Sequence, residues 1–552
     1  MVDARVVTSS DSLKSVGVPT IPFDKIVFFP KSHRMQHFIL FTLLIGAGVA
    51  NADPRLSSWF TADSTKYARI YTTTANRTAG ISATTWTGQT SPTYVGVHEI
   101  NYSANWVYIK NSGLAPYIMG PWNNPNLPKN QGTSTAVYRF PRNPTVITGT
   151  GITERTLTGQ GSIGFLVDGV SIYNTADGYS YSYVNSKDAT PNGNIGPGDG
   201  VWNRDAWPNE GGSFDYALNH PQPSGQYHAH ANPIGVRYVL GDNINYDTST
   251  KQYTENTSTA AFKHSPIIGW INDGLPLYGP YGYSDPGDPA SSVRRMVSGY
   301  VLRNGNYGTT NLSTTGRTSL PIWAQQAQGK TILSSGQYGP GTTYTSGTGP
   351  TALTYGLGHF SEDYDYLGDH GFVQGAVTTV NGETTLFDLN KFNARYCVTP
   401  DYPNGTWAYF VTIKADGTPW YPYNVGRWFM ATPPAYNSQP PTPGNLTTLT
   451  IMNADTPLTQ HFKGAAATVG TWAATPAAVA NGDVTLTWNA IEGGTYQVSA
   501  SNDLSTWTTL TPAITATSNV ASKIETGAAT SVAKRFYKVA RTSLATYDSV
   551  GY

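Results

Sequence analysis

The sequence predicts an all-β protein: a large, mostly antiparallel β domain followed by a small β-sandwich. Three observations predict it. The 57 Gly, 37 Pro and 36 Tyr among 552 residues, with many Thr, Ser and Asn, are the composition of short strands joined by tight turns. Long helical periodicity is nearly absent. Composition then changes across residues 431–445, where Pro433-Pro434 and Pro440-Pro441 mark a stiff linker. The length is too great for one ordinary domain.

Residues 1–52 read as a leader and signal peptide. The apolar run Phe38-Ile39-Leu40-Phe41-Thr42-Leu43-Leu44-Ile45-Gly46-Ala47-Gly48-Val49 is too short to span a bilayer comfortably. Ala50-Asn51-Ala52 then offers small residues where a signal peptidase reads, which implies a mature start at Asp53. Met1 and Met35 both remain open as the initiator, and a single N-terminal anchor is the rival reading. The expectation is a secreted or periplasmic protein with no membrane span after signal removal.

Residues 53–139 form a β-rich N-terminal region, with Tyr67-Ala68-Arg69-Ile70-Tyr71 and Trp106-Val107-Tyr108-Ile109-Lys110 as strands. Residues 163–173 read as a hairpin turning at Asp168-Gly169, a strong short-range signal. Gly405-Thr406-Trp407-Ala408-Tyr409-Phe410-Val411-Thr412-Ile413 reads as a core strand. Beyond the linker, Val484-Thr485-Leu486-Thr487-Trp488, Tyr496-Gln497-Val498-Ser499-Ala500 and Arg535-Phe536-Tyr537-Lys538-Val539 alternate as sandwich strands over residues 446–541. Residues 542–552 are a tail.

Charge excludes one class of partner. The 34 basic and 34 acidic residues balance, with no charged block, whereas a nucleic-acid binder would show a basic excess. The single cysteine, Cys397, rules out an intrachain disulfide. It sits among strand residues and reads as a buried thiol. Thiolate metal clusters are excluded with it.

The chemistry concentrates in histidines. In an extended Gln226-Tyr227-His228-Ala229-His230, His228 and His230 project the same way, roughly 6–7 Å apart at their roots. Two such imidazoles can converge on one ion, and His220 and His264 compete for the third position. Neutral imidazoles with a carboxylate or water suit Cu or Zn. Asp273 and Asp215 are candidates to orient the rings, with Asp205 and Glu210 weaker ones of the same kind. Glu362, Asp363 and Asp365 form an acidic cluster that reads as a solvated or calcium-binding loop, with a glycosidase-like carboxylate pair as the alternative. No nucleophile elbow, His-Glu-x-x-His helix or phosphate-cradling loop occurs.

Asn219-His220-Pro221-Gln222-Pro223-Ser224-Gly225-Gln226-Tyr227-His228-Ala229-His230-Ala231-Asn232-Pro233 resembles the bacterial YHYH domain family. So do residues 264–283, 362–366, 388–390, 393–395 and 399–410. The resemblance covers residues 140–430. Ala229 stands where the family's motif has its second tyrosine, while both histidines are kept. The resemblance implies a fold and a site rather than a reaction. The last module is similar to fibronectin-type-III-like accessory modules.

The expected function is a secreted Cu- or Zn-binding protein, with oxidoreductase and metallohydrolase chemistry both open. The alternative is a non-enzymatic extracellular protein that binds glycans or envelope components through aromatic faces. A purely structural or metal-storage role is the third reading. The partner class is a small molecule or polysaccharide of unspecified identity.

Overall fold

The computed structural model describes residues 53–61, 66–123, 125–130, 138–147, 152, 155–190, 194–258, 262–346 and 353–434. In the C-terminal part it describes 459–463, 471–472, 478–489, 494–503, 505–516, 520–531 and 535–544. The signal-peptide reading, most of the Pro-rich segment and residues 545–552 lie outside the described residues.

The fold is mostly β, and its described helices are short, the longest being Ile322–Gln328. Its centre is an eight-stranded sheet made of β1 (Gly164–Leu166), β2 (Ser171–Ile172), β3 (His220–Pro221), β4 (Tyr227–Ala229), β5 (Ile267–Ile271), β6 (Pro276–Tyr278), β7 (Ala394–Cys397) and β8 (Thr406–Phe410). The order across the sheet is β3-β4-β2-β1-β5-β6-β8-β7. All neighbours are antiparallel except β2 with β4 and β6 with β8.

These strands are short because turn residues punctuate them. β1 and β2 are joined through Asp168-Gly169, where Gly169 has φ 87° and Asp168 Oδ1 accepts the Val170 N–H at 3.1 Å. Glycine holds such a turn without the clash that a Cβ would bring. β1, β2, β4, β5 and β6 are buried throughout, so burial does not alternate along them.

One hydrophobic cluster runs from Leu56 to Ala431. The N-terminal region therefore shares its core with the central sheet. Strands Val97–Tyr102, Trp106–Asn111 and Tyr138–Pro141 form an antiparallel sheet, completed by Thr459–Lys463 from beyond the Pro-rich segment. A second cluster, including Val484, Leu486, Trp488, Tyr496, Val498 and Val539, joins a four-stranded and a three-stranded sheet in the C-terminal part. Alternate burial of Val484, Leu486 and Trp488 reflects the period-2 pattern of that strand. Cys397 is fully buried, and burial pushes its thiol up. Among the described residues, no helix is long and apolar enough to cross a membrane.

Candidate metal centre

The edge hairpin of β3 and β4 is tight. Gly225, with φ 86°, turns the chain so that His220 pairs with His228 and Pro221 with Tyr227. Period-2 alternation along β4 and the residue after it puts His228 and His230 on one face, with ring centroids 4.9 Å apart. His220 arrives from the neighbouring strand on the same face, 4.4 Å from His228 by ring centroids. The three form one group whose ligand atoms all lie within 4.8 Å of one another.

Their hydrogen bonds fix how the rings point. His228 Nδ1 lies 3.1 Å from the Gln226 carbonyl and His230 Nδ1 2.8 Å from the Asn174 carbonyl, so both Nδ1 atoms carry the proton. Ser213 donates its hydroxyl to the Glu210 carbonyl, leaving its oxygen to accept from His220 Nδ1 at 2.7 Å. Every Nε2 is then an unprotonated lone pair. Yet His220 Nε2 lies 3.0 Å from His228 Nε2, and His228 Nε2 lies 3.1 Å from His230 Nε2. Two lone pairs cannot hydrogen-bond each other, and the three atoms are placed where they could hold a cation. Protonation is disfavoured. Burial holds His220 down at about 2 and His230 at about 4, with the neighbouring His230 adding to the effect on His220. His228 is held well below its ordinary value by burial and by both other rings.

A carboxylate lies beside the three rings. Glu210 ends the short helix Ala206–Glu210 and brings Oε2 to 3.3 Å from His230 Nε2 and 3.7 Å from His220 Nε2. Donors held about 2.0–2.1 Å from a tetrahedral ion stand about 3.3 Å apart, and the separations of 3.0 and 3.1 Å between neighbouring Nε2 atoms and of 3.3 and 3.7 Å to Glu210 Oε2 are of that order. Burial, reinforced by Asp177 and opposed by Arg204, pushes Glu210 up to about 8. Its side chain is 27% exposed, against 7% or less for His220 and His230, but Oε2, the oxygen facing the rings, is buried. Tyr173 stacks on His228 at 4.0 Å, and Phe214 lies edge-on to His220 at 4.6 Å. These rings hold the imidazoles in place.

The structure separates the other expected residues from this centre. His264 is not in the group. Its Nδ1 donates to the Ser265 carbonyl, and its ring packs on Tyr278, Tyr283 and Phe410 near β6 and β8. Among the described residues, Asp273 touches no histidine. Its carboxylate accepts from Leu275 N, Ala431 N and the Tyr409 hydroxyl, and it is a turn anchor. Asp215 acts one step back: it accepts from Tyr227 Oη and from Gly120, Ala217 and Asn219 N–H groups. It thereby fixes the residues next to His228 and His220 without reaching a ring. Asp205 caps the helix that carries Glu210.

The acidic cluster is structural. Asp363 forms two 2.7 Å bonds with Arg317, Glu362 accepts from Asn203 and Gln328, and Asp365 faces Arg303 and His370. All three carboxylates are buried, which leaves neither a solvated calcium loop nor an open catalytic pair. Trp59, Trp202, Trp270, Trp323, Trp428 and Trp488 are fully buried, so they are core packing and not display surfaces. Glu210 was the least legible neighbour of the three histidines. Ten residues separate it from His220, and only the packing of its helix brings it in.

A family model described as YHYH protein matches residues 137–423 of the chain. No curated protein and no solved structure matches it.

Proposed function

The chain belongs to the YHYH family, and from that premise we propose that it is a metal-binding protein that holds one Zn or Cu ion on His220, His228, His230 and Glu210. The observation that carries this reading is the convergence of Nε2 lone pairs at 3.0 and 3.1 Å, each ring tethered through Nδ1. A bound ion would supply Lewis acidity and, if copper, one-electron redox capacity. The three buried imidazoles are the permanent donors. Glu210, the most exposed of the four, is the donor that a water or substrate would displace.

We further propose that the chain is exported. The apolar run at residues 38–49 followed by Ala50-Asn51-Ala52 supports this. An extracytoplasmic site would meet Zn or Cu without competition from cytosolic thiols.

The test is elemental analysis of untagged protein followed by titration with Zn²⁺ and Cu²⁺. One equivalent bound by the parent, and none bound tightly by a folded His228→Ala/His230→Ala variant, is the expected result. Equal binding by both would sink the assignment. Redox cycling of the Cu-loaded protein would favour oxidation, and hydrolysis by the Zn-loaded protein would favour the metallohydrolase reading.

A further inference from the structure

The central sheet is built twice. β1–β4 lie in the order β1-β2-β4-β3, and β5–β8 in the order β5-β6-β8-β7. In each set the first two strands are an antiparallel hairpin, the second is parallel to the fourth, and the third pairs antiparallel on the edge. The sets meet at β1 and β5, where Leu166 opposes Gly269, Phe165 opposes Trp270 and Gly164 opposes Ile271. Val167 N donates to Ile268 O and Asn272 N to Ile163 O, both at 2.8 Å. A twofold axis between Phe165 and Trp270 exchanges these pairs.

The sequence carries the same repeat. Ile163-Gly164-Phe165-Leu166-Val167-Asp168-Gly169-Val170-Ser171-Ile172-Tyr173 matches Ile268-Gly269-Trp270-Ile271-Asn272-Asp273-Gly274-Leu275-Pro276-Leu277-Tyr278. Ile, Gly, Asp, Gly and Tyr are identical, and most other positions keep their apolar character. The later segments match in their bonds. Asp215 Oδ1 accepts from N–H groups two and four residues on, and Asn390 Oδ1 does the same. Leu218 and Asn393 follow three residues after them with φ 64° and 65°, a left-handed conformation that few non-glycine residues adopt and that is rarer for Leu than for Asn. Gly225 and Gly405, both at positive φ, each stand two residues before the first aromatic of β4 and β8.

These registers pair each ligand with a counterpart. Ala229 opposes Ile172 as Tyr409 opposes Leu277, and His220 opposes His228 as Arg395 opposes Ala408. His220, His228 and His230 therefore correspond to Arg395, Ala408 and Phe410, and Tyr173 to Tyr278. In the second set the Arg395 guanidinium lies over the Phe410 ring, 5.2 Å from its centroid, and Phe410 stacks on Tyr278. Arg395 is buried and donates through Nη2 to the Tyr283 carbonyl at 2.8 Å. A cation beside a stacked ring is thus present without any ion.

We propose that the domain is an internal duplication in which the first copy holds a metal ion and the second has exchanged that ion for a fixed internal cation, Arg395. The chain then takes up one ion, not two. The ion in the first copy rests on the metal-binding reading above, while the duplication does not. His264 follows from it as well: it packs beside the arginine–aromatic pair and belongs to the copy without a metal site.

Exchanging the trios tests this. His220→Arg/His228→Ala/His230→Phe gives the first copy the residues of the second. Its thermal midpoint should fall close to that of the metal-stripped parent, whereas His220→Arg alone should lower it further by placing a guanidinium against two imidazoles. A triple variant that loses as much as the sum of its three single changes would overturn the equivalence. Conversely, Arg395→His/Ala408→His/Phe410→His, titrated with Zn²⁺ alone, should bind two equivalents where the parent binds one. A folded reciprocal variant that stays at the parent stoichiometry also overturns it. A parent that binds no metal defeats the metal-binding reading, and the thermal comparison then decides the duplication by itself, as it does if the reciprocal variant fails to fold.

Discussion

Tyr409 donates its hydroxyl to Asp273 at 2.6 Å, and the position of Tyr409 in the first half of the sheet is taken by Ala229. The two Asp-Gly turns are otherwise alike. Asp168 Oδ1 and Asp273 Oδ1 each accept the N–H two residues on, at 3.1 Å. Asp273 Oδ2 also receives Tyr409 and Ala431 N, whereas Asp168 Oδ2 is buried with no hydrogen-bond partner among the described residues. The departure from Tyr-His-Tyr-His at residue 229 leaves the three imidazoles intact and falls on the opposite face of β4.

Replacing Tyr409 with Phe should therefore destabilise the chain. The change takes one of two donors from the buried Asp273 Oδ2, leaving Ala431 N, and removes the acceptor of the Met430 N–H. A loss of about 1–3 kcal/mol is expected, measured as a lower urea midpoint of the main transition. An unchanged midpoint would show that the Asp273 contact is dispensable.

Asp168 should make stability fall as pH rises. Burial pushes its carboxyl from 3.8 up to about 7, with the buried Tyr117 as its titratable neighbour. A folded-state value above the unfolded one means that the folded chain holds the proton more tightly. The contribution is then complete below about pH 4 and lost as pH climbs through 7. The loss is on the order of 4 kcal/mol for a shift of this size. Asp168→Asn should gain on the parent between pH 5 and pH 8 in thermal midpoint. A pH-independent difference would refute this.

Metal affinity should depend on the tethers of the rings. Ser213→Ala removes the oxygen that accepts from His220 Nδ1 and should weaken Zn²⁺ binding by roughly 10–100-fold. His264→Ala should leave that affinity unchanged. Competition titration with a chromogenic chelator separates the two, and the opposite ranking would return His264 to the site.

Export predicts a mature N-terminus at Asp53. Mass spectrometry of protein recovered from its native host should find it there, and recovery of an uncleaved chain would overturn the signal-peptide reading.

How far the sequence was legible depended on the range of each interaction. His228 and His230 could be paired because alternation along one strand is a local rule, and Asp168-Gly169 could be read as a turn for the same reason. The choice between His220 and His264 could not be made locally. It rests on the cross-strand register of a hairpin whose first strand is two residues long. Asp273 shows the same limit: an Asp-Gly turn looks alike in both halves, and only Tyr409, 136 residues away, reveals its task. The acidic run at residues 362–365 looked solvated, but Arg317 and Arg303 bury it from a distance. The repeat of Ile-Gly-aromatic and Asp-Gly across residues 163 to 278 was visible in the letters and would have assigned His264 to the other half.

The strand Thr459–Lys463 covers the outer edge of Val97–Tyr102, opposite its pairing with Trp106–Asn111. A fragment that stops at the Pro-rich segment would retain the whole histidine cluster but bare the hydrogen-bonding groups of a six-residue strand. An uncovered edge of that length recruits strands from other molecules. Shortened versions made to isolate the histidine site are therefore expected to self-associate, and their solubility, more than their chemistry, will report whether the far end of the chain has been kept.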